Sequence, residues 1–186
     1  KLIIKFCRRC IGGSNDKMIN NCKIRFLVID VDGTLTDGKI YMSESGELFK
    51  AFDIKDGYGI KEILPQYNIV PIIITARQGK ILEKRCRELG IEELHQGIQQ
   101  KGEKLAQIIA DFQKCDVATV DLSQVAYIGD DIFDIQCMKM IKDVGGLVGC
   151  PKDAVQEVMA IADYVCARQG GAGAVREFIE YLIKNI

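Results

Sequence analysis

"FLVIDVDGTLTDG", residues 26–38, carries an unbroken apolar run into three aspartates, Asp30, Asp32 and Asp37, within eight positions. The run begins at Ile24 ("IRFLVID", 24–30) and does not alternate, which predicts a strand buried on both faces of a parallel sheet. Carboxylates crowded at the end of such a strand repel one another. A bound cation, or a reaction that needs two carboxylates, explains them better than a structural role does.

Working outward, "IVPIIIT" (69–75) and "VAYIG" (125–129) read as two further buried strands. Shorter strands are expected near Glu93–His95, at 146–149 and at 164–166. Two strand-like runs around Ser43–Gly46, inside residues 39–52, give a β-hairpin signal. Helices are expected at 56–67, stopped near Pro65; at 79–90, with Gly90 as C-terminal cap; at 101–112; around 132–141; at 153–162; and at 174–186. Strand–helix alternation implies an α/β fold, a doubly wound Rossmann-like parallel sheet with helices on both faces and a hairpin insertion. Residues 1–22 lack this regularity and read as an N-terminal extension or linker before one domain at 23–186; the start without Met leaves a longer fused chain open.

Bulk composition excludes several classes. The 186 residues hold 25 basic and 26 acidic side chains with no basic block, so no nucleic-acid footprint is expected. The longest apolar candidate, "IVPIII" (69–74), is far short of the ~18 residues of a membrane span, and "KLIIKFCRRC" is too short in its apolar part for a signal peptide. Eight cysteines sit mostly in apolar segments and read as reduced core thiols in a cytoplasmic protein. Cys7, Cys10 and Cys22 would want a fourth ligand to make a zinc site, and the single histidine, His95, is distant in sequence.

In a doubly wound sheet, ligands sit beyond the carboxyl ends of the strands. The three clear strands deliver Asp30 and Asp32, then Thr75 and Arg77, then Asp130, Asp131 and Asp134. If the three strands are neighbours, these carboxylates converge on one crevice; such a cluster calls for a cation, and an all-oxygen set favours Mg²⁺. Other phosphoryl and hydrolytic chemistries lack their residues: no cysteine precedes an arginine by six positions, neither "GK" continues into Ser or Thr, and there is no G-x-S-x-G. The bland alternatives are Lys101 as a solvated helix residue, Thr75 as an ordinary strand end and Asp134 as a charge at a helix N-terminus.

"DVDGT" (30–34), Thr75, Lys101 and "GDD" (129–131) resemble, in order, the four motifs of the haloacid dehalogenase (HAD) superfamily of phosphohydrolases. The resemblance implies Asp30 as nucleophile, Asp32 as acid and base, and Thr34 as a brace of the phosphate-binding loop. It further implies Thr75 and Lys101 on the phosphoryl oxygens, and Mg²⁺ on Asp30, the Asp32 carbonyl and Asp130, with Asp131 and Asp134 as outer supports. The 45 positions from Asp30 to Thr75 and the 26 from there to Lys101 leave no room for a cap domain. A neighbouring subunit is therefore expected to cover the crevice, with the 39–52 hairpin as the contact.

A longer match, "DGTLTDGKIYMSESGELFKAFDIKDGYGIK", "ITAR", "HQG", "VAYIGDD" and "RQGGAGAVREF", is similar to the 3-deoxy-D-manno-octulosonate 8-phosphate phosphatase family. That family is capless and tetrameric, its hairpins form the tetramer core, and it serves lipopolysaccharide synthesis. The similarity implies Arg77 and Lys55–Asp56–Gly57 on the sugar acid, and Arg168 or Arg176 on its carboxylate. Departures are "TAR" (75–77) for the commoner TGR, "KDGYG" for RDGYG, and a short C-terminus. Alternatives are a phosphatase for a nine-carbon ulosonate 9-phosphate, or the phosphatase-like, mainly oligomerising C-terminal domain of an acylneuraminate cytidylyltransferase.

Overall fold

The computed structural model describes residues 24–114 and 120–185, so the expectations for residues 1–22 and for Cys115 lie outside the described chain. Chain order gives β1 (Phe26–Ile29), β2 (Tyr41–Ser43), β3 (Gly46–Phe49), α1 (Ile54–Tyr58), β4 (Val70–Ile74), α2 (Lys80–Leu89), β5 (Glu93–His95) and α3 (Lys101–Lys114). There follow β6 (Val125–Ile128), α4 (Ile135–Lys142), β7 (Leu147–Cys150), α5 (Gln156–Met159), β8 (Tyr164–Val165) and α6 (Ala174–Lys184). Six strands form one sheet in the order β5-β4-β1-β6-β7-β8, every neighbouring pair parallel. The β2–β3 hairpin stands apart as a two-stranded antiparallel sheet.

All four residues of β1 are buried, as its unbroken apolar run predicts for a central strand covered on both faces. On one face lie α2 and α6, with Val175, Phe178, Ile179 and Leu182 forming a helical stripe. The other face takes α3, through Leu105, Ile108, Ile109 and Phe112, with α4 and α5 beside it. Both stripes repeat at i, i+3, i+4 and i+7, the spacing that aims one helix face at a sheet.

The chain leaves β1 toward β4 and β5, then returns to pair β6 on β1's other side. This reversal splays the loops after β1 and β6 apart and opens a crevice at their carboxyl ends.

One helix differs from expectation. It begins at Ile54, capped by Asp53, whose side chain accepts from Lys55 N, and the helical run continues past Pro65 to Tyr67. Pro65 sits in the first turn of a tight final segment, where its missing N–H costs nothing, and Asn68 ends the run in the left-handed region at φ 55°. At 153–162 only Gln156–Met159 is a regular helix. Gly90 caps α2 at φ 74°, as expected.

Candidate active site

Asp30 follows β1, and its N–H still donates to Ile128 O at 3.0 Å, the last rung toward β6. Beyond it the chain turns through Val31–Leu35, where Gly33 has φ 98°. A Cβ at Gly33 would lie 2.0 Å from Asp130 Oδ2, so only glycine lets the two aspartate loops meet. Thr34, fully buried, donates through Oγ1 to Asp130 Oδ1 at 2.8 Å. The loop is backed from outside by Gly170, whose missing side chain leaves room for Gly33 O.

Lys101, the first residue of α3, is 3% exposed and reaches back to the sheet edge. Its Nζ lies 2.7 Å from Asp30 Oδ1 and 2.7 Å from Asp134 Oδ1. Asp134 also accepts from Tyr127 OH at 2.6 Å, Asp130 N at 3.0 Å and Asp131 N at 3.1 Å. It is a buried hub tying β6, the "GDD" loop and the lysine together.

Burial, with Asp134 nearby, holds the Asp30 carboxyl well above the usual range despite Lys101. Burial likewise pushes Asp130 up to about 7, against the hydrogen bond from Thr34. Burial alone would depress Lys101, but the charges of Asp30 and Asp134 outweigh it and raise the lysine. Carboxyl oxygens of Asp30, Asp130 and Asp134 lie within 4.8 Å of one another. Crowded, desolvated carboxylates with only oxygen donors suit a hard divalent cation.

A cavity of about 200 Å³ opens here, lined in part by Asp30, Asp32, Thr75, Arg77, Lys101 and Asp134. The sequence-predicted residues from three separate strands therefore converge. Asp131 sits at the rim and caps the following turn, accepting from Ile132 N at 2.7 Å. Asp37, the third aspartate of the opening stretch, points away and accepts from Tyr41 OH at 2.6 Å, tethering the hairpin.

Other expected residues lie elsewhere. Asp56 and Gly57 are buried; Asp56 Oδ1 accepts from Arg176 N at 2.7 Å, capping the start of α6. Lys55 is exposed on α1. Arg168 lies along Gly173, while Arg176 stacks over Tyr58 at 5.2 Å and pairs with Glu180 at 2.8 Å. None of these five lines the cavity.

Three participants escape a reading of sequence. Tyr127 looks like any aromatic in a buried strand. Lys50, its side chain only 5% exposed, contacts Asp32 and lies 3.2 Å from Glu47 Oε1, which also accepts from Arg77 at 3.2 Å. No spacing rule links Lys50 to Asp32, because the hairpin's fold alone brings them together.

No family model matches the chain. Curated and solved proteins do. It is 41% identical, over 94% of its length and 87% of the relative's, to 3-deoxy-D-manno-octulosonate 8-phosphate phosphatase KdsC of Escherichia coli (strain B / BL21-DE3). The crystal structure of the Yersinia pestis phosphatase of that name matches at TM-score 0.78 and 36% identity, covering 99% of this chain and 86% of that one. The Moraxella catarrhalis phosphatase, solved with magnesium ion, phosphate ion and a KDO molecule, matches at TM-score 0.78 and 33% identity, over 88% and 87% of the two chains. Close identity over nearly full length, on a shared capless HAD frame, makes this chain a member of the 3-deoxy-D-manno-octulosonate 8-phosphate phosphatase family.

Proposed function

We propose that the protein is a Mg²⁺-dependent phosphomonoesterase that hydrolyses 3-deoxy-D-manno-octulosonate 8-phosphate to the sugar acid and phosphate. The observation that carries this reading is the buried Asp30 held by Lys101, with Asp32 beside it in the same cavity. One carboxylate is fixed for attack and the other faces the mouth.

An Asp30 carboxylate oxygen attacks phosphorus opposite the ester oxygen. The ester P–O bond breaks, and the departing oxygen takes its proton from Asp32. A water molecule then gives a proton to Asp32 and its oxygen to phosphorus. The bond to Asp30 breaks, which releases phosphate and restores both carboxyl groups. Lys101 and Thr75 hold the phosphoryl oxygens, where preorganised positive charge acts most strongly on the transition state. Asp30, the Asp32 carbonyl and Asp130 would hold Mg²⁺, with Asp134 and Asp131 behind them; the bound ion would supply charge for the phosphoryl oxygens.

Arg77, on the cavity wall, is the sugar-acid contact of this chain. Asp56 caps the start of α6, and Gly57 lies against Arg85 and Leu89 of α2, both away from the cavity. The hairpin exposes Ile40, Met42, Leu48 and Phe49, supporting assembly through residues 39–52, as a homotetramer, over an otherwise open crevice. Among the described residues no helix is long and apolar enough to cross a membrane. The buried free thiols of Cys86, Cys137, Cys150 and Cys166 support a reducing, cytoplasmic setting.

The test is phosphate release from the eight-carbon and nine-carbon ulosonate phosphates, with Mg²⁺ or EDTA. Turnover of the eight-carbon ester, lost with EDTA and lost by at least about four orders of magnitude in Asp30→Asn, is expected. Preference for the nine-carbon ester would reassign the substrate. No turnover of either by folded, metal-loaded protein would overturn the reading. In light scattering, Leu48→Lys should reduce the particle to a smaller species; an unchanged mass would remove the hairpin from the interface.

A further inference from the structure

The β2–β3 hairpin brings a second cation to the reacting carboxylates. Lys50, just after β3, contacts Asp32, and its Nζ also lies 3.2 Å from Glu47 Oε1. Glu47 Oε1 accepts in turn from Arg77, 3.2 Å away across the cavity mouth. Four side chains of alternating charge, Asp32, Lys50, Glu47 and Arg77, thus join the first-strand loop, the hairpin and the loop after β4.

The burial is uneven in a telling way. The Lys50 side chain is 5% exposed, while Asp32 keeps 24% of its side chain in water. A lysine that needed only solubility would extend outward, since its stem is long and its ammonium is strongly hydrated. Here the ammonium is withdrawn between two carboxylates, and one of them is the proposed acid and base. Asp32 sits on a turn with a non-helical backbone, beside Gly33 at φ 98°, and Lys50 is the cation that contacts its carboxylate.

Resting on the functional reading above, we infer that Lys50 is a positioning residue that holds the Asp32 carboxylate toward the ester oxygen, with Glu47 fixing Lys50 and Arg77 together. The hairpin is therefore part of the catalytic apparatus as well as a surface for assembly. Misplacing a proton-transferring group by about 1 Å is enough to cost on the order of 100-fold in rate.

The test combines kinetics on the eight-carbon ester with crystal structures. Lys50→Met should lower kcat about 100-fold with KM nearly unchanged, the pattern of an interaction made only in the transition state. Lys50→Arg should recover most of the loss. In an Asp32→Asn background, Lys50→Met should add no further loss, because the residue it positions is already disabled. A raised KM with kcat kept would assign Lys50 to substrate binding and overturn the proposal, as would additive losses in the double variant. A crystal structure of the wild type with Asp32 on Lys50, and of Lys50→Met with Asp32 turned away, is the result expected independently of turnover. Asp32 standing apart from Lys50 in the wild type would overturn the proposal even for an active enzyme. Lack of turnover by the wild type would count against the functional reading alone.

Discussion

Lys101 and Lys50 are the same device built on two different supports. Each places one ammonium between two carboxylates: Asp30 and Asp134 for Lys101, Asp32 and Glu47 for Lys50. Lys101 projects from a fourteen-residue helix packed on the sheet, and both its partners are buried. Lys50 follows a short hairpin, and its partners keep 24% and 16% of their side chains exposed. The first pair of bonds is part of the core. The second is a clasp at the mouth, partly hydrated and dependent on a two-stranded element that is marginal alone. In the proposed mechanism the nucleophile Asp30 draws on the first, and the proton carrier Asp32, positioned at the mouth, draws on the second.

The comparison makes ordered predictions. Lys101→Met leaves two buried carboxylates facing each other, and in EDTA should cost about 3–5 kcal/mol by urea unfolding. Lys50→Met leaves Asp32 and Glu47, which water already reaches, and should cost about 1 kcal/mol or less in the same assay. Equal costs would erase the distinction between core and clasp.

Asp56 sharpens it from a third side, as a buried carboxylate with no lysine partner and an Oδ2 without a hydrogen bond. Burial pushes its carboxyl up to about 6, despite the N–H from Arg176. Its protonated form is therefore favoured by folding. The stability this contributes is fully present below about pH 4 and is lost as the pH rises through about 6. Relative to Asp56→Asn, the wild type should gain on the order of 2 kcal/mol in unfolding free energy on going from pH 7 to pH 4. A flat difference across that window would mean that the Asp56 carboxyl is not strained by burial.

How much of this is legible in the sequence depends on the range of the cause. β1 reads correctly because burial on both faces writes an unbroken apolar run into consecutive positions, and Gly90 reads correctly because a left-handed cap is a local demand. Alternation implies a parallel sheet, but the aspartates of "DVDGT" and "GDD" converge because β1 and β6 are neighbours, a strand order that the structure supplies. The helix that passes Pro65 was unreadable from the proline alone, since proline is harmless in a first turn and disruptive in the middle. Asp56 and Gly57 carry roles by resemblance that no local pattern records; in this fold their surroundings are α6 and Arg85. Lys50, Glu47 and Tyr127 act through tertiary geometry, which no local pattern records.

The parallel sheet also sets when the site comes into being. Its bonds join residues 71 positions apart between Lys101 and Asp30, and 96 apart between Thr34 and Asp130. Between β1 and its second neighbour, β6, the chain runs out through β4 to the edge strand β5 and back. Loop closures of that span form late, because their entropy must be overcome before any contact rewards it. Refolding followed by phosphate release would thus report the docking of β6, while far-ultraviolet signals from α3 and α6 would report earlier events. The interval between the two signals measures the lifetime of a chain that has its helices and still lacks its chemistry.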